Sequence, residues 1–199
     1  MEIRIDRGGT VSGLRDLLEQ TIVGGAQSAI VLACEKNAFD KASVDDILQR
    51  CDIPVFGGIF PALFHGSEVL KTGSIVLRGP RELDVHVLRN ISAADANLEA
   101  ALEEFAQAGD DCRSMFVLVD GFSPGIGALV DALFAIFGLE HNIIGGGAGS
   151  LAAMGSSPCL LTNDGLLEDS AALGFTQIES QIGVCHGFET IYGPFRVTK

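Results

Sequence analysis

Ile143-Ile144-Gly145-Gly146-Gly147-Ala148-Gly149-Ser150 is the most constrained stretch of the sequence, with four glycines in five residues. Glycine loses more backbone entropy than any other residue when a regular element fixes it. Because apolar residues lead into the run, it predicts a corner at the end of a strand. Such a corner either makes a turn with positive φ or presents bare backbone N–H groups to a ligand. A shorter version, Phe56-Gly57-Gly58-Ile59-Phe60, predicts a second corner earlier in the chain.

The bulk composition is that of a globular protein with a sizeable core. The 199 residues are 47% hydrophobic and 20% charged, which does not suit a disordered chain. The formal net charge of −13 argues against nucleic acid as a partner, because binding phosphates needs clustered lysine and arginine. No signal-peptide pattern and no apolar run of membrane-spanning length are present. We therefore expect a cytoplasmic protein with no membrane partner.

Cysteine and histidine spacing predicts no disulfide framework, no metal and no cofactor. The five cysteines are scattered and never form a C-x-x-C pair, so we expect small buried side chains. No spacing of histidines and carboxylates suggests a metal, and the glycine run lacks the features of a nucleotide-binding fingerprint. Cys185 and His186 are adjacent on a predicted strand, so their side chains point to opposite faces and form no catalytic pair.

Apolar periodicity predicts the same series of elements twice: a buried strand, a helix, a glycine corner and a further strand. The corresponding pieces are Ala29–Cys34 with Met115–Val119, the helix capped by Ser43 with the helix begun by Ser123, Phe56-Gly57-Gly58 with Ile144-Gly145-Gly146, and 73–77 with 170–175. An offset of roughly 85 to 90 residues exceeds a solenoid repeat and predicts a duplicated half-domain. The predicted fold class is α/β, a mixed sheet built from two duplicated β-α-β-β halves packed with helices.

The predicted boundaries follow from this duplication. Residues 1–26 form an N-terminal arm and helix, and residues 27–180 form the main domain, with pseudo-repeats over 27–90 and 91–180. Residues 181–199 are expected to be a terminal strand, with one long strand over 182–191, that begins a part missing from this sequence.

Capping and turn signals refine the prediction. Ser92 with Asp95 predicts a capping box for a helix that ends at Gly109. The alternation of Leu83–Val87 predicts a half-exposed antiparallel strand. Asn163-Asp164-Gly165, between two apolar runs, predicts a hairpin turn.

In their order, these motifs resemble the N-terminal half of the FIST family, the sensory domain of F-box and intracellular signal transduction proteins. The resemblance covers residues 27–199. It rests on Ile53–Gly58, Val119–Ser123, Ile143–Gly149, Thr162–Gly165, 182–184 and 193–198. It implies a cytoplasmic module that binds small ligands, amino acids being one suggestion, and passes that state to a signalling output. The C-terminal half of the family and an output protein are the partners that it implies.

The candidate ligand-binding residues lie at the two corners and in the loop after residue 119. They are Gly57, Gly58, Phe60, Asp120, Phe122, Gly145, Gly146, Gly147, Ala148, Gly149 and Ser150. Loops that follow strands commonly carry ligand groups in α/β proteins, and Phe60 and Phe122 would wall a crevice between the halves. The alternative is that the glycines only let each strand turn sharply, that Ser123 is only a helix cap, and that Asn163 serves only the turn.

We predict a non-catalytic sensory domain that binds an amino acid or another small carboxylate. Two alternatives stay open. The first is an enzyme that uses the main glycine corner as an oxyanion or phosphate cradle. The second is a structural half-domain whose apolar surface needs a C-terminal partner. An oligomer is compatible with all three.

Overall fold

The structure is a computed structural model that describes residues 2–81, 83–108, 112–138, 141–152, 157–184, 187, 192, 193 and 196. Its strands are β1 (Ile3–Asp6), β2 (Ala29–Cys34), β3 (Val55–Phe60), β4 (Leu63–His65), β5 (Glu68–Leu70), β6 (Ser74–Arg78), β7 (Leu83–Arg89), β8 (Ser114–Asp120), β9 (Asn142–Ala148), β10 (Leu160–Thr162), β11 (Gly165–Leu167) and β12 (Ser170–Thr176). Its α-helices are α1 (Val11–Val23), α2 (Lys41–Gln49), α3 (Leu98–Ala108) and α4 (Ile126–Phe137).

Two mixed sheets contain ten of these strands, and β4 and β5 form a separate hairpin. The first sheet has the order β1-β6-β2-β3-β10-β11, and the second has the order β7-β12-β8-β9. In each sheet one pair is parallel, β2 with β3 and β8 with β9, because a helix connects those strands. The remaining pairs are antiparallel.

The sheets pack face to face, and helices cover their outer faces. Phe56 of the first sheet and Phe116 of the second lie 6.2 Å apart between ring centroids. Leu14 of α1 and Leu48 of α2 are fully buried in the core of the first sheet. Leu102 of α3 is likewise fully buried in a second core shared with α4. The fold is therefore four layers of helices, sheet, sheet and helices.

The predicted mixed α/β class is confirmed, although the strands divide between two sheets. Local pattern gave the bounds of β2 without error, and the predicted strands at β6, β7, β8 and β12 are present. The first four strands in the order of the first sheet, β1-β6-β2-β3, follow the same scheme as β7-β12-β8-β9. The duplication itself stays a prediction.

The predicted glycine corners are wrong for all their glycines except Gly149, which follows β9 with a φ of 155°. The other glycines lie inside strands. Gly57 and Gly58 belong to β3, and Gly145–Gly147 belong to β9. None of these residues has a positive φ. A Cβ on Gly57 would overlap the backbone carbonyl of Val31, and a Cβ on Gly145 would overlap that of Val117. These two glycines permit close approach of the paired strand.

The predicted caps of α2 and α3 are also wrong by a few residues. Asp40 is the N-cap of α2, and Ser43 is the third helical residue, which completes a capping box with Asp40. At the start of α3 the Asn97 side chain accepts a hydrogen bond from the amide of Ala100, at 3.2 Å. Ser92 instead donates to Asp169, at 2.7 Å. The predicted helix end at Gly109 lies outside the described residues.

The hairpin predicted at Asn163 is confirmed, with β10 and β11 as its strands. The long strand predicted over 182–191 is not observed in 182–184, and its remainder lies outside the described residues apart from Gly187. Cys185, His186 and most of 193–199 also lie outside them. Among the helices in the described ranges, none is long and apolar enough to cross a membrane.

Candidate ligand-binding site

The carboxyl ends of all four parallel strands meet at one place. The Gly149 amide, after β9, donates to the carbonyl of Ile59 in β3 at 2.8 Å. The Gly121 amide, after β8, donates to the carbonyl of Ala148 at 2.8 Å. Ligand groups in α/β proteins commonly lie beyond such strand ends. We call this place the strand-end cluster. It consists of Glu35, Phe60, Gly121, Phe122, Gly149 and Ser150.

Glu35 brings a charged group from the end of β2 to the cluster. Its Oε2 accepts hydrogen bonds from the Ser150 hydroxyl at 2.8 Å and from the Ala152 amide at 3.3 Å. The hydrogen bond from Ser150, helped by the following backbone amides and by Lys36, lowers the pKa of Glu35. The carboxylate is therefore ionised near neutral pH and ties the segment after β9 to the end of β2.

Asp120, a predicted ligand-binding residue, points into the protein. It is fully buried at the end of β8. Its carboxylate accepts hydrogen bonds from the amides of Phe122 at 3.0 Å and Asp169 at 2.9 Å. Burial, followed by the charge of Asp120, raises the pKa of the Cys159 thiol to about 12. Asp120 therefore holds the loop after β8 against the segment between β11 and β12.

Asp169 completes this anchor through Ser123. The predicted cap of α4 at Ser123 is wrong, because the N-cap is Gly125, whose amide donates to the Ser123 hydroxyl at 3.1 Å. The Ser123 hydroxyl donates to the Asp169 carboxylate at 2.6 Å, and α4 begins only at Ile126. Partial burial opposes ionisation of Asp169, but the hydrogen bonds from Ser123 and Ser92 hold its pKa below the usual range. Asp169 has a φ of 43°, a left-handed conformation that aspartate tolerates better than most residues.

The remaining predicted site residues fall into three groups. Phe60, Phe122, Gly149 and Ser150 belong to the strand-end cluster, and a Cβ on Gly149 would lie 3.0 Å from the Phe122 ring. Gly57, Gly58 and Ala148 are buried next to it, within β3 and β9. Gly145, Gly146 and Gly147 are exposed on β9, which is the last strand of the second sheet among the described residues.

Sequence reasoning missed Glu35 and Asp169. Glu35 directly follows the buried strand β2, so the rule that led to Asp120 applies to it as well. Asp169 follows a hairpin, and its serine partners come close only in the fold, so no sequence signal indicates it.

Three backbone amides of the cluster are already bonded within the protein and so do not supply an oxyanion cradle. The amide of Phe122 donates to Asp120, and those of Gly121 and Gly149 donate to backbone carbonyls. An oxyanion hole needs donors aimed at the reacting atom. Within the ranges that the structure describes, no three or more His, Cys, Asp and Glu side chains are grouped to hold a metal ion.

The fold and the strand-end cluster define a mixed α/β domain with a candidate ligand site at the carboxyl ends of its parallel strands. The family model described as FIST N domain matches residues 27–199, and the chain belongs to the FIST family. The resemblance noted from the motifs is thereby confirmed, and FIST domains are sensory domains in signal transduction. No curated protein and no solved structure gave a match to the chain.

Proposed function

We propose that this FIST domain senses a small ligand, an amino acid or another small carboxylate, at the strand-end cluster. The observation that supports the proposal is the meeting of four strand ends at one group of short loops. The hydrogen bonds from Gly149 to Ile59, from Gly121 to Ala148 and from Ser150 to Glu35 fix that meeting. Loops positioned in this way by a rigid scaffold are where binding residues concentrate.

The side chains of the cluster favour a ligand that carries an amino group as well as a carboxylate. The ionised Glu35 is an acceptor for an ammonium group. Its exposed neighbour Lys36 supplies a cation for a carboxylate. Phe122 is 40% exposed, and its ring offers an apolar wall. An amino acid in its zwitterionic form satisfies all three.

The same contacts suggest how binding changes the domain. Ile59 and Glu35 belong to the first sheet and its following turn, whereas Gly149 and Ser150 follow the second sheet. A ligand that bridges these groups stabilises the arrangement in which the two sheets' ends are closed on each other. Binding then shifts the population toward that arrangement, which a signalling partner can recognise.

Binding can be tested by thermal-shift and calorimetric titration with the twenty amino acids and with acetate and succinate. Only a ligand of the folded state raises the unfolding midpoint by mass action. We expect a saturable shift with at least one amino acid and a smaller shift with acetate. A flat screen on the folded chain would contradict the proposal.

A matched pair of variants assigns the site. Glu35→Gln removes the charge and keeps hydrogen-bonding atoms, and we expect at least roughly a tenfold loss of affinity, since hydrogen bonds to charged groups contribute about 1.5–3 kcal/mol. Glu103→Gln changes an exposed glutamate on α3 and should leave binding unchanged. Equal affinities for the two variants would place the ligand elsewhere.

A further inference from the structure

Two hairpins of the described chain have the same construction. The β4–β5 hairpin connects β3 to β6, and the β10–β11 hairpin lies between β9 and β12. Each has two strands of three residues joined by a two-residue turn. The paired residues are Leu63↔Leu70, Phe64↔Val69 and His65↔Glu68 in the first, and Leu160↔Leu167, Leu161↔Leu166 and Thr162↔Gly165 in the second.

The β10–β11 hairpin packs against the edge of a strand and against a helix. Its β10 strand pairs antiparallel with β3, where Leu161 lies opposite Gly57. The Leu166 amide donates to Asp45 of α2 at 2.8 Å, and Gln49 of α2 donates to the turn carbonyl of Asp164 at 3.4 Å. As a result, the central pair of the hairpin is buried, with Leu161 0% and Leu166 1% exposed.

Within the described residues, the β4–β5 hairpin is not packed against a strand edge and a helix in this way. The equivalent central pair is open to solvent, with Phe64 77% and Val69 49% exposed. Its other face is covered, because Leu63 and Leu70 are buried in a small apolar cluster. A two-stranded hairpin with a bare apolar face needs a further surface for stability.

A surface of matching form, to which no further described strand is paired, lies on β9 and α4. Gly145 pairs with Val117 in β8 as Gly57 pairs with Val31 in β2, and a Cβ on either glycine would overlap its partner's carbonyl. β9 therefore corresponds to β3. However, the outer edge of β3 is paired with β10, whereas β9 is the last described strand of its sheet.

The exposed side of α4 corresponds to the side of α2 that contacts β10–β11. In α2, Val44 and Leu48 are buried, and the residues that follow them, Asp45 and Gln49, hold the hairpin. In α4, Leu129 and Leu133 are buried in the same spacing. The residues that follow these two are Val130, 42% exposed, and Phe134, 53% exposed. The corresponding surface is thus apolar and open.

We propose that the β4–β5 hairpin of one copy docks on β9 and α4 of a second copy, and that the second copy reciprocates to form a twofold dimer. Leu63 would lie opposite Gly146 and Phe64 opposite Gly145, as Leu160 and Leu161 lie opposite Gly58 and Gly57. An aromatic side chain such as Phe64 opposite an edge glycine is a favourable cross-strand pairing.

The structure favours a second copy over docking within one chain. Leu63 and Leu70 hold β4–β5 against the first sheet, and Glu68 forms an ion pair with Arg7 at 2.7 Å. A twofold dimer covers both bare surfaces at once. Despite the net charge of −13, α4 contains a single charged residue, Asp131, so repulsion at this face is small. This inference is independent of the proposed ligand.

Analytical ultracentrifugation across a concentration series tests the dimer. We expect a reversible dimer that weakens roughly a hundredfold in Phe64→Ser and in Phe134→Ser, since each ring is buried twice in a twofold interface. Val23→Ser removes an apolar side chain that is 88% exposed at the end of α1 and should leave the dimer unchanged. Urea midpoints are compared at a protein concentration at which all three variants are monomeric, because dimerisation itself raises the midpoint. Equal midpoints there would show that the folds persist. A monomer at every concentration, or a dimer insensitive to Phe64→Ser, would overturn the proposal.

A photocrosslinking experiment identifies the surface on which the β4–β5 hairpin docks. A benzophenone amino acid replaces Phe64 in an equal mixture of ¹⁴N- and ¹⁵N-labelled chains, and mass spectrometry identifies the joined peptides. We expect mixed-isotope crosslinks from position 64 to β9 or α4. Crosslinks to β9 found only within single-isotope chains would overturn the second copy as occupant and establish internal docking.

Discussion

The two neighbouring glycines Gly145 and Gly146 should respond in opposite ways to alanine. Both are exposed on β9, so solvent exposure alone predicts the same effect for each. A Cβ on Gly145 would overlap the carbonyl of Val117, whereas a Cβ on Gly146 would meet no atom within 4 Å. The substitution pair therefore tests whether the glycine run exists for strand packing.

The expected free energies differ in sign. Gly146→Ala should stabilise the fold by about 0.4–1 kcal/mol, because alanine restricts the unfolded chain and fits the native conformation. Gly145→Ala should destabilise it by about 1–3 kcal/mol, as overpacking does. The destabilisation by Gly145→Ala should lie at the upper end of this range, because the atoms that the new Cβ would overlap belong to the backbone of β8. The difference is about 2–4 kcal/mol.

Urea unfolding followed by far-UV circular dichroism measures this difference, and thermal unfolding gives an independent value. For a domain of this length, 1 kcal/mol shifts the midpoint by about 2–4 °C, so the variants should differ by roughly 5–15 °C. Gly57→Ala is the control, because its Cβ would overlap the carbonyl of Val31 in the same way. It should resemble Gly145→Ala and not Gly146→Ala.

Equal stabilities for the Gly145 and Gly146 variants would refute the packing argument. The glycines would then have a role outside the folded monomer, and the proposed pairing of β9 with a second copy would be the next candidate. Gly147→Val is a poorer test of that role, because a Cβ at Gly147 would lie 3.0 Å from the Gly121 Cα and would strain the fold itself.

Two further predictions concern side chains whose environments differ sharply from the surface. Asn163→Ala should lower the free energy of unfolding in urea by about 3 kcal/mol, because Asn163 accepts a hydrogen bond from the Val55 amide at 2.7 Å and donates to two backbone carbonyls at 3.0 Å. Asp164→Ala removes only a surface ion pair and should lower it by less than about 1 kcal/mol. Similar losses in the two variants would contradict this prediction. The thiol of Cys159 has a pKa raised from 9.0 to about 12 in the folded state, so its contribution to stability is complete below pH 9 and is lost as the pH rises toward 12. Unfolding measured from pH 8 to 11 should show a smaller decline in Cys159→Ala than in the wild type, and an unchanged slope would contradict the shift.

The sequence pattern predicted the helices and strands that are determined by their own residues. The unbroken apolar run of β2 and the helical spacing in α1 appear in the structure as expected. The glycine strands were not predictable in this way. Whether Gly145 is a corner or a strand residue depends on the carbonyl of Val117, which only the parallel pairing of β8 with β9 brings close.

The candidate site was predictable to the extent that it consists of loops after strands. Phe122, predicted as a wall of the crevice, and Ser150, predicted as part of the glycine corner, follow β8 and β9 and lie in the strand-end cluster with Phe60 and Gly149. Asp120 was predicted from its position after a strand, but its side chain is buried and bound to backbone amides. Position after a strand therefore predicts proximity to the cluster and does not predict which way a side chain points.

The two hairpins show how a neighbour decides the environment of a residue. Leu161 and Phe64 occupy equivalent places in hairpins of the same length and register, yet one is fully buried and the other is 77% exposed. Their own sequences do not explain the difference, because both are large and apolar. What differs is the surface beside them: β3 and α2 beside Leu161, and solvent beside Phe64. Phe64 is thus an exposed apolar residue at a position that is buried in the equivalent hairpin, which is typical of an interaction surface. The surface of β9 and α4 has the form to cover it.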